Sequence, residues 1–236
     1  MLRKKVDSNI ILLWLEIYDY SEFKILIGSI VMTEKEKMIA GKIYDPSAEE
    51  LGKGRAKAHR LCTDYNHTYE EEEEKRFAIL KELIPDCGKG VYLQGPIQFD
   101  YGYNTSIGEN SYANFNFTVL DCSTVTIGRD VFFGPNVSLV TPLHPYLPEE
   151  RRMRLKEDGS AYDLEYAKPI VIGDDCWFGS NVTVIGGVTI GSGTIIGAGS
   201  VVTKDIPSGV LAAGNPCKVI RKITKEDSIE FKKELW

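Results

Sequence analysis

The sequence predicts a mainly β protein: a parallel β-helix of hexapeptide repeats behind an N-terminal helical segment. Three observations carry that expectation. From Ile172 to Pro207 the chain divides into sixes, IGDDCW, FGSNVT, VIGGVT, IGSGTI, IGAGSV and VTKDIP. From Met32 to Ile84 the texture is charged and helical instead, opening with MTEKEKMIAGK. After Gly90 helix periodicity gives way to short β-branched runs separated by Gly, Asn and Asp.

The first position of the repeat holds Ile172, Phe178, Val184, Ile190, Ile196 and Val202; the fifth holds Cys176, Val182, Val188, Thr194, Ser200 and Ile206. A chain that turns every six residues makes a three-sided coil of about eighteen residues. The first-position side chain points inward and stacks on its equivalent one coil away. A small residue at the fifth position fits the crowded interior near a corner, and Gly at the second eases the chain round the bend. No single repeat buries its apolar face, so coils must stack to close a core. Weaker copies begin at Ile107, Ile127 and Phe133. Ile107 and Ile127 are not separated by a multiple of six, so an irregularity intervenes. Between Val140 and Ile170 the repeat is lost in a stretch containing Pro142, Pro145, Pro148 and Gly159. A long irregular loop inside a periodic domain is expected to be functional, here an excursion from the prism.

The segment ahead of the repeats reads as three helices. A short one covers Glu34 to Ala40, and a second covers Ala48 to Tyr65 after the turn Asp45-Pro46-Ser47. A third begins near Thr68, where Thr68-x-x-Glu71 fits a capping box. The run Glu70–Glu74 reads as a solvated helix start rather than a metal site. His59 and His67 fall in this region and read as surface or capping residues.

Composition bounds the function. With 236 residues, 43% hydrophobic and 26% charged, the chain can bury a sizeable core and is not a disordered chain. A net charge of −6 argues against a general nucleic-acid binder. No run reaches the roughly 20 apolar residues of a membrane helix. Arg3, Lys4 and Lys5 precede the apolar run Ile10–Leu15, which is shorter than the roughly 7–15 residues of a signal-peptide core. A second apolar patch spans Ile25–Val31. Residues 1–31 therefore read as a leader or upstream extension, with a packing or membrane-surface segment as the alternative. Cys62, Cys87, Cys122, Cys176 and Cys217 make an odd set with no C-x-x-C pair, which fits reduced thiols in a cytoplasmic protein.

Six motifs follow one another: MTEKEKMIAGKIYDP, YNH, DYGYNTSIGENSYANFNFTVLD, LHPYLPEER, KPIVIGDDCWFGSNVTVIGGVTIG and SVVTKDIPSGVLAAGNPCKVIRKI. In that order they closely resemble the maltose and galactoside O-acetyltransferases and their nodulation-protein relatives, over residues 32–223. The resemblance implies a left-handed β-helix, since nothing in the spacing itself decides the hand. The organisation becomes an extension (1–31), a helical acceptor-side segment (32–88), the β-helix (89–223) with its excursion (141–169), and a C-terminal tail (224–236). It also implies acetyl-CoA as co-substrate, a sugar hydroxyl as acceptor, no metal, and a homotrimer with sites in the grooves between subunits.

Candidate site residues follow from chemistry and from these matches. A sugar hydroxyl is a poor nucleophile while protonated, and imidazole is suited to take its proton. The resemblance makes His144, in LHP, that base. It places the active-site amide at Asn114, where a side-chain amide can donate to a developing oxyanion; Asn116 is the competing position and would point the other way in an extended segment. Asp45, Arg55, Asp100 and Glu165 fall at acceptor-side positions, Glu165 either orienting His144 or touching the acceptor. Some relatives have Ser where this chain has Asp100. On the donor side Trp177, Gly179 and Ser180 match the family's W-x-G motif, with the Ser180 N–H near the thioester carbonyl. Ala198, Thr203 and Lys204 fall along the pantetheine and phosphates, and Lys218 and Arg221 by the nucleotide phosphates. The implied chemistry is direct transfer without a covalent enzyme intermediate. Three alternatives remain. The same prism acetylates another small acceptor, such as serine or an antibiotic; the chain is a metalloenzyme of the carbonic-anhydrase sort, which needs three histidines around the ion where the coil region has His144 alone; or it is a non-catalytic β-helix scaffold.

Overall fold

The computed structural model describes residues 32–235, so the expectations for residues 1–31 lie outside the described part. Three helices come first: Glu34–Ile39, Glu49–Asn66 and Glu73–Leu83. Thr33 caps the first with a reciprocal capping box to Glu36. The capping box expected at Thr68-x-x-Glu71 does not form, and the third helix starts at Glu73 instead. The Thr68 hydroxyl is taken by Arg76, which also donates to the Tyr65 hydroxyl and to the carbonyls of Leu93 and Gln94. Arg76 thereby satisfies carbonyls at the end of the prism that no further coil covers.

The prism behind the helices is built from three parallel sheets. The first side stacks strands Asp86–Cys87, Thr105–Ile107, Val125–Ile127, Ile170–Ile172 and Thr189–Ile190. The second side stacks Tyr92–Leu93, Tyr112–Ala113, Phe132–Phe133, Trp177–Phe178, Ile195–Ile196 and Val210–Ala213, and closes with the antiparallel strand Lys218–Lys222. The third side stacks Ile97–Phe99, Phe117–Leu120, Ser138–Val140, Thr183–Ile185 and Val201–Val202. Every first-position residue of the six repeats is buried, as is every fifth-position residue. Phe133 and Phe178 stack with ring centroids 4.8 Å apart, continuing a column above Ala113.

Pairing explains the broken register. Ile172 pairs with Ile190, a coil of 18 residues, whereas Ile107 pairs with Ile127, a coil of 20. Ile107, Ala113 and Val119 are evenly spaced inward positions, so the two extra residues fall between Val119 and Ile127. They sit at the corner after the third side, at Asp121–Thr124 and equivalently at Asp100–Asn104. The excursion leaves the prism at that same corner.

The second-position glycines do not ease the bend. Their role is to admit the neighbouring coil: a Cβ on Gly179 would stand 2.6 Å from the Ala198 nitrogen, and one on Gly191 2.5 Å from that of Ser208. The left-handed backbone falls two residues later, at Asp175, Asn181, Gly193 and Gly199, and upstream at Asn110, Asn116, Asp130 and Asn136. Asn and Asp tolerate this conformation because their short polar side chains bond locally.

Candidate active site

The irregular corner collects the polar groups of the molecule. Asp121 is fully buried there, its carboxylate accepting from the Tyr101 N–H at 2.8 Å and the Thr105 hydroxyl at 3.0 Å. Burial pushes its carboxyl up to about 6 despite those hydrogen bonds. Next to it, the Cys122 Sγ lies 3.6 Å from Asp100 Oδ2, and Asp100 Oδ1 lies 3.7 Å from His59 Nε2. The His59 ring thus faces the Asp100 carboxylate while staying exposed, the surface position expected from the sequence. His67 does keep a local role, its Nδ1 2.7 Å from the Thr63 carbonyl at the helix C-cap.

The helical segment is tied to this corner through the excursion. Tyr44 pairs with Glu165 through two backbone hydrogen bonds, Tyr44 N to Glu165 O at 2.9 Å and the reverse at 3.2 Å. The Tyr44 hydroxyl also donates to Glu165 Oε2 at 2.6 Å. Burial first, then the neighbouring Cys122 and Glu165, push that hydroxyl far above its ordinary pKa, so it stays a donor. Asp45 Oδ2 lies 2.6 Å from Lys156 Nζ in the excursion, and its Oδ1 accepts from the Ser47 N–H. Burial opposes ionisation of Asp45, but hydrogen bonds from Lys156 and Ser47 outweigh it and hold the carboxyl below its ordinary value. Arg55 donates to the Tyr101 hydroxyl and the Pro46 carbonyl, both at 2.7 Å, and joins the second helix to the coil.

His144 stands where the excursion begins. The strand Pro142–Leu143 pairs antiparallel with Tyr166–Ala167, Leu143 opposite Tyr166, so His144 comes opposite Glu165. Its Nε2 is 3.7 Å from Glu165 Oε1 and its Nδ1 is 3.7 Å from Asp163 Oδ2. One donor atom from each of these three residues falls within 4.8 Å of the others, the donor types a divalent cation takes. The two carboxylates, however, face different ring nitrogens. That arrangement brackets an imidazole more readily than it converges on an ion.

Asn114 is elsewhere. It follows the strand Tyr112–Ala113, at the corner between the second and third sides, with its Oδ1 accepting from the Phe115 N–H at 2.8 Å. Asn116 has a left-handed φ of 60° and donates to Asn136 Oδ1 at 2.8 Å, which makes it part of the corner ladder. Gly179, Ser180 and Ala198 share the edge of Asn114, and no acceptor among the described residues takes the Ser180 N–H. Trp177 points outward on the second side, half-exposed, in register with Phe132. Thr203 and Lys204 follow the strand Val201–Val202 and lie on the other edge, with the His144 corner. Lys218 and Arg221 are exposed on the closing antiparallel strand. Arg221 is engaged by Asp227 through bonds of 2.6 and 2.7 Å. The predicted residues therefore occupy two edges of the prism. They are separated by a third-side strand, roughly 10–15 Å at about 3.3 Å per residue.

Known proteins resemble this chain in sequence and in fold. The maltose acetyltransferase hexapeptide capping motif matches residues 37–88, and the six-repeat bacterial transferase hexapeptide matches residues 169–204. The galactoside O-acetyltransferase of Escherichia coli K12 is 42% identical over 203 residues, covering 86% of this chain and 96% of that one. The chain belongs to the maltose and galactoside O-acetyltransferase family. Two solved structures of such acetyltransferases superpose on it. One is a maltose O-acetyltransferase from Clostridium difficile 630, 44% identical, with a TM-score of 0.75 over 82% of this chain and 99% of that one. The other is a galactoside acetyltransferase in complex with coenzyme A, 42% identical, with a TM-score of 0.76 over 84% and 94%. The family model at residues 37–88 covers Tyr44 and Asp45, in the link between the first two helices, and Arg55 and His59 on the second helix. In this acetyltransferase fold the capping segment and the irregular corner thus form one polar wall. Asp163, Tyr44 and Lys156 stand beside the predicted residues His144, Glu165 and Asp45, and the sequence does not single them out. The spacing Asp163-x-Glu165 is the one signal available, and it serves Asp163 alone, since residues two apart share a face of an extended chain.

Proposed function

We propose that the chain is an acetyl-CoA-dependent sugar O-acetyltransferase, moving the acetyl group to a hydroxyl of a maltose-, glucose- or galactoside-like acceptor. The observation that carries this reading is the placement of His144, half-exposed beside the carboxylates and the helical wall that the family's capping segment builds. His144 takes the acceptor proton, the alkoxide attacks the thioester carbonyl, and the C–S bond breaks as the tetrahedral species collapses. The proton then passes to the leaving thiolate of CoA, so no covalent enzyme intermediate is needed. Asp45, Arg55, Asp100 and Glu165 hold the acceptor side, with hydroxyl groups entering among carboxylates that already bind Lys156, His59 and Tyr44. Trp177, Gly179, Ser180, Ala198, Thr203, Lys204, Lys218 and Arg221 hold acetyl-CoA. The unpartnered Ser180 N–H supports an oxyanion contact there.

The split of these residues between two edges supports a homotrimer in which His144 of one chain meets Asn114 and Ser180 of the next. The reacting atoms must come within about 3–3.5 Å, which one chain alone does not arrange. Five buried free thiols fit a reducing compartment such as the cytoplasm. Among the described residues no helix is long and apolar enough to cross a membrane. The test is a panel of neutral sugars, serine and aminoglycosides with acetyl-CoA, read by thiol release and by mass of the product. Acetylated sugar is the expected product; turnover confined to serine or the aminoglycosides overturns the acceptor class, and no turnover overturns the function. Sedimentation equilibrium is expected to give the trimer mass, and a fully active monomer overturns the shared site.

A further inference from the structure

We propose that Asp163 is the positioning residue of His144, taking its Nδ1–H so that Nε2 is left with the lone pair that accepts the proton. The inference rests on the reading of His144 as the base.

Four observations lead to it. The strand register sets His144 across from Glu165, and Asp163 precedes Glu165 by two, so both carboxylates lie on the side of the chain that faces the ring. The two contacts are equal in length at 3.7 Å but address opposite nitrogens, Asp163 at Nδ1 and Glu165 at Nε2. That distance is longer than a hydrogen bond and is closed by a small rotation of either side chain; catalytic hydrogen bonds are often long before substrate binds. The carboxylates also differ in their commitments. Glu165 is occupied by the Tyr44 hydroxyl and pinned by two backbone bonds to Tyr44. Asp163 is partly buried, and among the described residues His144 is the one cationic or donor group beside its carboxylate.

The side on which the acceptor enters decides between the nitrogens. Glu165 leads through Tyr44 to Cys122 and Asp100, the acceptor wall, so the nitrogen beside Glu165 is the one that meets a sugar hydroxyl. A neutral imidazole carries one N–H, and its tautomer follows the hydrogen bond made by the other nitrogen. Were Glu165 to hold that N–H, Nε2 would arrive at the acceptor already protonated. With Asp163 on Nδ1–H, Nε2 takes the hydroxyl proton and returns it to the CoA thiolate. Between those events the imidazolium stands between two carboxylates.

The test uses the full chain and its Asp163→Asn, Asp163→Ala and Asp163→Glu variants. Asp163→Asn is expected to lower kcat about 10–100-fold, less than loss of the base itself, with the KM for acetyl-CoA unchanged. The acidic limb of its kcat/KM profile moves to lower pH, because one carboxylate fewer stabilises the imidazolium. Asp163→Glu recovers most of kcat. Wild-type kcat and pH profile in both Asn and Ala variants overturn the proposal. So does an equal loss in all three variants accompanied by a lowered melting temperature, which marks a merely structural role. A second readout is independent of turnover. With three histidines in the chain, nitrogen-15 correlation of the His144 ring reports its tautomer directly. A dominant Nδ1–H form that becomes mixed in Asp163→Asn supports the proposal even if no acceptor is acetylated. An unchanged tautomer overturns it even if the acetyltransferase reading stands.

Discussion

The two halves of the β-helix differ at one corner. From Ile170 to Val202 each coil spends 18 residues, and its interior is apolar or small and uncharged. From Asp86 to Val140 each coil spends 20, and the two extra residues bring a buried carboxylate, a buried thiol and the start of the excursion. At two of the three corners, in both halves, coils approach one another so closely that a Cβ on a second-position glycine collides; at the third, where the extra residues fall, that position carries Ile185 and Thr203. Added residues open the corner, and the helices and excursion pack against it. The regular half thus buries no carboxylate, while the irregular half and the excursion that divides them hold the buried Asp121 and the cluster around His144.

Four substitutions or measurements test that division, from the largest expected effect down. His144→Ala is expected to lower turnover about 10²–10⁴-fold while leaving the melting temperature and acetyl-CoA affinity intact; near-normal turnover in steady-state kinetics would remove the excursion from the chemistry. Ile190→Ala, in the regular half, does the reverse. It opens a cavity in the column between Ile172 and Ile206 and costs about 2–5 kcal/mol in urea unfolding, with kcat preserved where the protein is folded. A cost well below that range would mean that the column does not support the fold.

Asp121→Ala probes the irregular corner itself. It strips the Tyr101 N–H and Thr105 hydroxyl of their acceptor, at about 1–3 kcal/mol. A pH signature accompanies it. The folded carboxyl titrates near 6 and an unfolded one near 3.9, so the native state holds its proton more tightly. The stability this proton contributes is fully present below about pH 4 and is lost as pH rises through about 6. The advantage of wild type over Asp121→Ala is therefore larger at pH 4.5 than at pH 7.5 in paired urea titrations; an equal advantage would place Asp121 in a wetter site. The smallest effect is one expected not to differ between halves. Burial pushes the Cys62 and Cys87 thiols up to about 11 and raises those of Cys122, Cys176 and Cys217 as well. Iodoacetamide at pH 8 should label none of the five until the protein is denatured, and rapid labelling of Cys122 alone would show the acceptor corner opening to solvent.

Much of the architecture is legible in the sequence. The inward columns can be read from Ile172 onward because the period is short and the side-chain rule is local. His144 can be named because it is the lone histidine of the coil region and stands where the repeat breaks, and the motif order supplies the rest. The partners of His144 are less accessible. Asp163 is an acidic residue in a loop, and nothing in its neighbours says that a strand register will set it across from an imidazole. Asp45 and Arg55 sit at acceptor-side positions by motif, yet one pairs with Lys156 and the other with Tyr101 and Pro46, partners distant in sequence or hidden in the backbone. The second-position glycines suggest a bend from sequence and serve a different need. Positive φ is a local feature that sequence suggests, whereas approach by a neighbouring coil is not.

By itself, then, the sequence determined the period, the buried columns, the three helices and the family, all of which follow from patterns within a few residues or from ordered motifs. Tertiary structure alone decided where the extra residues of the upstream coils go and that Tyr44 pins Glu165. It also decided that two carboxylates face opposite nitrogens of one imidazole, and that Asn114 and His144 stand on different edges of the prism. Those facts depend on contacts between segments 20 to more than 100 residues apart. Their partners are chosen by how coils stack and helices dock, and no local preference encodes that choice.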